Sequence, residues 1–233
     1  MRHLFLLAAL FCACISYAQI RVQERLPKSK TGFALTTAKT RAKIYYDVND
    51  ALVIKRSAEL FARDIQMVTG QKPELIQKRE RAKALVIVGT IEKNQWICEL
   101  AQKGKIDIRP LQGAWERYLI QTVDNPSPGV AKALVIAGSD RRGAAYGLFS
   151  ISEMMGVSPW YWWGDVPVKT HKALYVDAPP TYSKTPSVKY RGIFLNDEDW
   201  GLKPWAAKTF EKERGNIGPR TYAKICELLL RLK

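Results

Sequence analysis

The sequence predicts an α/β protein, and three observations carry that prediction. Ala84-Leu85-Val86-Ile87-Val88 and Ala133-Leu134-Val135-Ile136-Ala137 are continuous apolar runs, each closed by a glycine and followed by helical periodicity. Strands that are apolar on both faces belong to a sheet covered by helices. The 233 residues are 47% hydrophobic and 25% charged, the balance of a folded soluble protein with ample material for a core.

The elements follow in chain order. Residues 1–18 read as a cleaved signal: Arg2 and His3, an apolar run over residues 4–15, then Ser16-Tyr17-Ala18 with small residues where signal peptidase needs them. The run is shorter than the ~20 residues of a membrane anchor, and no later stretch is long and apolar enough to span a bilayer. The expectation is an exported protein, periplasmic or extracellular, cleaved near Ala18. Residues 19–39 are polar and without clear period, and read as a mobile lead-in.

An α/β domain is expected over residues 40–178. Lys43-Ile44-Tyr45-Tyr46 opens it as a strand. Asn49 and Asp50 are candidate caps for a helix that ends at Gly70, with Ile54, Ala58, Phe61, Ile65 and Val68 on one face. Glu74-Leu75-Ile76 reads as a short strand. The strand over 84–88 then turns at Gly89 into a helix carrying Trp96, Ile97 and Leu100. Residues 118–123 alternate as a strand, and residues 125–129 read as a loop. The strand over 133–137 turns at Gly138 into a helix capped by Ser139-Asp140, reaching Met155.

A second unit is expected after a linker. Pro179-Pro180 and the polar residues to Ser187 form that linker. Residues 188–195 read as a strand, and Gly218-Pro219 opens a helix, proline suiting its first turn. Tyr222, Ile225, Cys226, Leu229 and Leu230 make an apolar stripe on that helix. One strand and one helix cannot bury their own faces, so residues 188–233 read as the opening of a domain.

Composition excludes several chemistries. A formal charge of +15, from 37 Lys and Arg against 22 Asp and Glu, suits acidic partners without naming one. The basic residues are scattered rather than gathered on one aromatic-rich face, so no nucleic-acid partner is expected. Beyond the leader only Cys98, Cys226 and His171 remain as soft ligands. Neither a disulfide framework nor a zinc site can be built from them, and His171 reads as a solvated loop residue. Gly138 to Gly143 has the glycine spacing of a phosphate loop, but Ala144-Ala145 stands where Lys-Ser/Thr is required. It reads as a helix cap with glycines for close packing. No cofactor or metal is expected.

Two motifs carry candidate function. Trp160-Tyr161-Trp162-Trp163 places four large rings together, either to plug an interface between domains or to stack on sugar rings. Asn196-Asp197-Glu198-Asp199-Trp200 sets three carboxylates in a row after the strand at 188–195. Clustered carboxylates repel, which raises at least one pKa and suits general acid/base work. Spacing alone favours a solvated acidic turn.

Taken together, these segments resemble glycoside hydrolase family 115, the xylan α-1,2-glucuronidases. The resemblance rests on Ala137-Gly138-Ser139-Asp140-Arg141-Arg142-Gly143, on residues 156–167 with the Trp-rich run, on Tyr190-Arg191-Gly192-Ile193-Phe194-Leu195-Asn196-Asp197-Glu198, and on residues 222–233. It implies an N-terminal α/β sandwich-type domain, then the first strand–helix unit of a (β/α)₈ barrel truncated here, since a barrel takes ~250 residues. It implies removal of glucuronic acid or its 4-O-methyl form from xylan, with inversion and without metal, the partner being an acidic plant polysaccharide. Asp197 and Glu198 are then the catalytic candidates, with Asn196, Asp199 and Trp163 binding substrate. An inverting enzyme needs a second carboxylate about 6.5–9.5 Å across the sugar, so the 233 residues alone are expected to be inactive. The alternative is a carbohydrate-binding or scaffold piece that uses the Trp-rich run.

Overall fold

The computed structural model describes residues 19–233; the leader assigned to residues 1–18 lies outside them. Strands β1 (Arg21–Gln23) and β2 (Gly32–Thr36) precede β3 (Lys43–Tyr46), helix α1 (Leu52–Thr69), β4 (Leu75–Ile76) and β5 (Ala82–Thr90). Helix α2 (Gln95–Gln102), β6 (Tyr118–Ser127), β7 (Val130–Gly138) and α3 (Arg141–Met154) follow. Then come β8 (Leu174–Asp177), β9 (Thr181–Tyr182), the single turn α4 (Leu202–Trp205) and α5 (Pro219–Leu232).

The central sheet runs β4-β3-β5-β7-β6-β9, parallel across its first four strands and antiparallel at β6 and β9. Period-two alternation divides the apolar runs between two layers. Val86, Val88, Leu134 and Ile136 face α1 and α3, while Leu85, Ile87, Ala133 and Val135 face α2. Ile54, Phe61, Ile65 and Val68 on α1 are fully buried against the first layer, each contributing roughly 1.5–3 kcal/mol of transfer free energy. The expected α/β layer is therefore present.

Local signals at the helix ends divide. Gly70 ends α1 in the left-handed region with φ 71°. Asp140 caps α3, accepting from the amides of Arg142 and Gly143 at 2.9 and 2.8 Å. A Cβ on Gly138 would lie 2.1 Å from the Ala144 nitrogen, so this glycine is demanded by close packing, as expected. Asp50 does not cap α1, whose start at Ala51 has no side-chain cap. Its carboxylate instead accepts from the Thr90 amide at 2.7 Å, fastening α1 to the end of β5.

Four stretches depart from expectation. The lead-in forms β1 and β2, which sandwich β8 in a second, antiparallel sheet and bury Phe33 and Leu35 completely. Its alternation supplies one apolar face, and the partner strand lies far along the chain. The linker contributes β9, which pairs with β6. Residues 188–195 form no strand; Tyr190 and Phe194 are 84% and 94% exposed. A ladder needs an edge to pair with, and among the described residues none reaches this stretch. Strand β6 also continues through Asn125 and Pro126 to Ser127, a register shift accommodating the proline.

Candidate functional site

The acidic motif is a turn. The Leu202 amide donates to the Asn196 carbonyl at 3.1 Å and the Gly201 amide to the Glu198 carbonyl at 3.3 Å, reversing the chain into α4. Gly201 is needed there, because a Cβ would come within 2.6 Å of the Asn196 carbonyl oxygen. The Asn196 side chain accepts from the Glu198 amide at 3.4 Å.

The three carboxylates have separate fates. The Tyr222 hydroxyl of α5 donates to Asp197, and that bond raises the Tyr222 phenol above its ordinary range. Asp199 receives the Lys203 ammonium at 2.7 Å, which holds it below the usual carboxylate range. At Asp199 the neighbouring cation therefore outweighs the mutual repulsion expected from sequence. Glu198 is exposed and makes no ion pair among the described residues. Trp200 beside them is 82% exposed.

Trp163 stands in an aromatic cluster rather than on an open platform. Its ring centroid is 4.7 Å from that of Trp162 and 5.6 Å from that of Trp205, and Phe210 packs 4.9 Å from Trp162. The indole N–H of Trp163 donates to the Lys224 carbonyl on α5 at 3.2 Å, and the Lys224 ammonium lies 5.0 Å from the Trp162 ring centroid. These rings join residues 159–165 to the segment around α4, the interface-plugging alternative of the two. Trp160 alone of the four rings is largely turned outward, at 46% exposed.

Helix α5 is what gathers the motifs, and a buried ionic cluster holds it. Arg231 makes a bidentate pair with Asp64 of α1 at 2.7 and 2.8 Å, and its Nε donates to Glu227 at 3.0 Å. Glu227 also accepts from Arg63 at 2.6 Å, from the Tyr161 hydroxyl at 2.9 Å and from Lys224 at 3.1 Å. Burial pushes Glu227 up, but the charges of Arg231, Arg63 and Lys224 outweigh it and hold its carboxyl at about 2. The same burial, with Glu227 beside it, raises the Tyr161 phenol. The inward face of α5 is therefore Thr221, Ile225, Glu227, Leu228 and Arg231, while Tyr222, Cys226 and Leu229 of the expected apolar stripe face outward.

Two further carboxylates fix the second unit. Glu211, nearly buried, accepts from the Gly218 and Thr221 amides at 3.0 and 2.9 Å and so caps α5 from outside the helix. Burial opposes its charge, yet the Thr221 hydroxyl and these amides leave it below the ordinary range. Glu116, at φ 56° and buried, bridges Arg142 at 2.7 Å and Arg191 at 2.5 Å, pinning residue 191 to the start of β6. Tyr222, Glu211 and Arg191 were not legible as site-building residues: Tyr222 reads as part of an apolar stripe, and the partners of the others are distant or generic.

Among the described residues no group of three His, Cys, Asp or Glu side chains could hold a metal ion, and no helix is long and apolar enough to cross a membrane. Cys98 and Cys226 are free thiols. His171 is half-buried rather than loose in solvent, its Nδ1 2.9 Å from the Glu24 carboxylate. The lead-in strand region supplies that partner, which explains the difference.

Known proteins resemble the chain in sequence and in fold. Residues 183–233, which include the acidic turn and α5, match the model for glycosyl hydrolase family 115. A solved family GH115 4-O-methyl-α-glucuronidase with specificity for decorated arabinogalactans is 36% identical, with a TM-score of 0.69 over 86% of this chain and 25% of its own. A GH20 β-N-acetylhexosaminidase from Streptomyces coelicolor A3(2) is 13% identical, with a TM-score of 0.36 over 73% of this chain and 25% of its own. No curated protein matches.

Proposed function

The chain is a member of glycosyl hydrolase family 115 that spans 25% of a solved relative, and from that premise we propose that it is the N-terminal part of an exported α-glucuronidase. The enzyme removes glucuronic acid or 4-O-methylglucuronic acid from the side chains of xylan or a similarly decorated plant polysaccharide, with inversion. The reading rests on one observation above the others. Within the residues matched to the family, Asp197, Glu198 and Asp199 share a turn open to solvent, and Tyr222 ties that turn to a helix anchored in the α/β domain.

The chemistry follows from the partners of each acid. Asp197, fixed in orientation by the Tyr222 hydroxyl that donates to it, is placed to act as a base on water or to bind a sugar hydroxyl. Glu198, with no competing cation, is free to exchange a proton with the glycosidic oxygen. Inversion places the acid and the base about 6.5–9.5 Å apart on opposite faces of the sugar, so at least one member of the working pair comes from barrel strands outside these 233 residues. The 233 residues alone are then inactive. Asn196 and Asp199 hold sugar hydroxyls, and Trp163 forms an apolar wall behind them. The uronate carboxylate is met by cationic or backbone N–H donors, because three acids would otherwise repel it.

In a chain completed to full length, Asp197→Ala and Glu198→Ala each abolish release of glucuronic acid from glucuronoxylan, measured by chromatography of the products. Unchanged release from both variants removes these residues from the mechanism.

A further inference from the structure

At the end of the sheet far from the acidic turn there is an open cleft of about 740 Å³. It lies where β5 and β7 begin side by side, Ala82 opposite Val130. Its rim carries Arg81, Lys83, Lys103 and Lys105, its floor includes Pro126 and Pro128, and no carboxylate lines it. The acids nearby are engaged elsewhere. Both oxygens of Glu99 are taken by Arg79 at 2.7 Å, leaving Lys103 at 4.0 Å, and Asp124 pairs with Lys132 at 3.1 Å. Lys105 donates to the Asn125 carbonyl, a neutral partner.

Four cations on a concave, partly aliphatic surface, with only Lys103 at the edge of ion-pair distance from a carboxylate, focus a positive field into the cleft. A single small anion would meet only part of that rim, whereas a polymer bearing carboxylates at intervals would meet all of it. No aromatic ring lines the cleft, so the stacking that single-stranded nucleic acids use is missing. We propose that this cleft is a second binding site, for a polysaccharide carrying uronic carboxylates along its chain. The choice of a uronate polymer over other polyanions rests on the glucuronidase reading above. From Ala82 to Thr90 the nine residues of β5 span roughly 26 Å. The cleft therefore grips a stretch of polymer distinct from the one at the acidic turn.

The test uses the chain from residue 19 to residue 233 and calorimetric titration with glucuronoxylan, polygalacturonate, unsubstituted xylan and single-stranded DNA. Binding to the two uronate polymers is expected, weakening as salt rises toward ~150 mM, with none to unsubstituted xylan. Lys83→Gln with Lys103→Gln weakens it about tenfold, and Lys83→Glu with Lys103→Glu weakens it further. The control removes the same charge at Lys208 and Lys212, both exposed on the segment after α4, and changes affinity less than about twofold. Equal weakening by both pairs overturns the proposal, since net charge would then suffice. Equal affinity for DNA overturns the polysaccharide assignment. Loss of uronate binding in the cleft variants supports the site even where the completed protein releases no glucuronic acid, and that second result would overturn the catalytic reading alone.

Discussion

At its C-terminal half α5 meets the buried Asp64 and the partly exposed Arg63 in an ionic cluster; at its first turn it meets Asp197 in an open loop. Both contacts use carboxylates and their donors. In the first, Asp64 is fully buried, Arg231 is 2% exposed, and every charge has at least one opposite partner. In the second, Glu198 and Asp199 stand in water, and Asp199 is paired only with its neighbour four residues on. Buried pairs are costly to break one at a time, because the survivor is stranded away from water. Exposed pairs are screened and weak. The protein thus uses the same residue types to lock a helix at one place and to leave acids available at another.

The largest effect expected from this contrast is at Arg231. Arg231→Met leaves Asp64 and Glu227 buried with reduced compensation, and costs about 3–5 kcal/mol by urea unfolding. The double change Asp64→Leu with Arg231→Met removes the stranded charge and recovers most of that loss. Equal loss in the single and double variants would break the comparison.

Acid provides the next test. The folded Glu227 carboxyl titrates at about 2, below its unfolded value near ~4.3. A depressed carboxylate stabilises the fold fully above the unfolded value and loses that contribution as pH falls toward the folded one. Unfolding free energy should therefore drop by roughly 3 kcal/mol between about pH 5 and pH 2, and Glu227→Gln should flatten much of that slope. An unchanged slope would place acid sensitivity elsewhere.

The smallest effects belong to the open turn. Asp197→Asn should return the Tyr222 phenol toward its ordinary range, read by carbon NMR of labelled tyrosine, with the urea midpoint unmoved. Asp199→Asn should leave the midpoint unmoved as well. A large loss of stability from either would show that the turn is structural rather than available for chemistry.

The same contrast marks what could be read in advance. Val86 to Val88 and Leu134 to Ile136 announce central strands, because their neighbours in space repeat the same apolar pattern. Asp140 announces α3, because its partners are two and three residues away. The inward face of α5 gives no such sign: Glu227 and Arg231 look like an ordinary solvated pair until Asp64, 167 residues earlier, is brought beside them. Residues 188–195 have the local composition of a strand, but pairing depends on edges that local composition does not contain. The acidic turn was legible as a motif, while its attachment through Tyr222 was not, since a phenol within an apolar stripe reads as packing.

The double attachment of residue 191 and α5 has a mechanical outcome. Glu116 grips the chain at Arg191, and Asp64 grips it again at Arg231. The exposed stretch at residues 212–216 lies between these two moorings. A protease nick there would sever the backbone without releasing either piece, and the two would travel together through a sizing column until acid or denaturant loosened the far anchor.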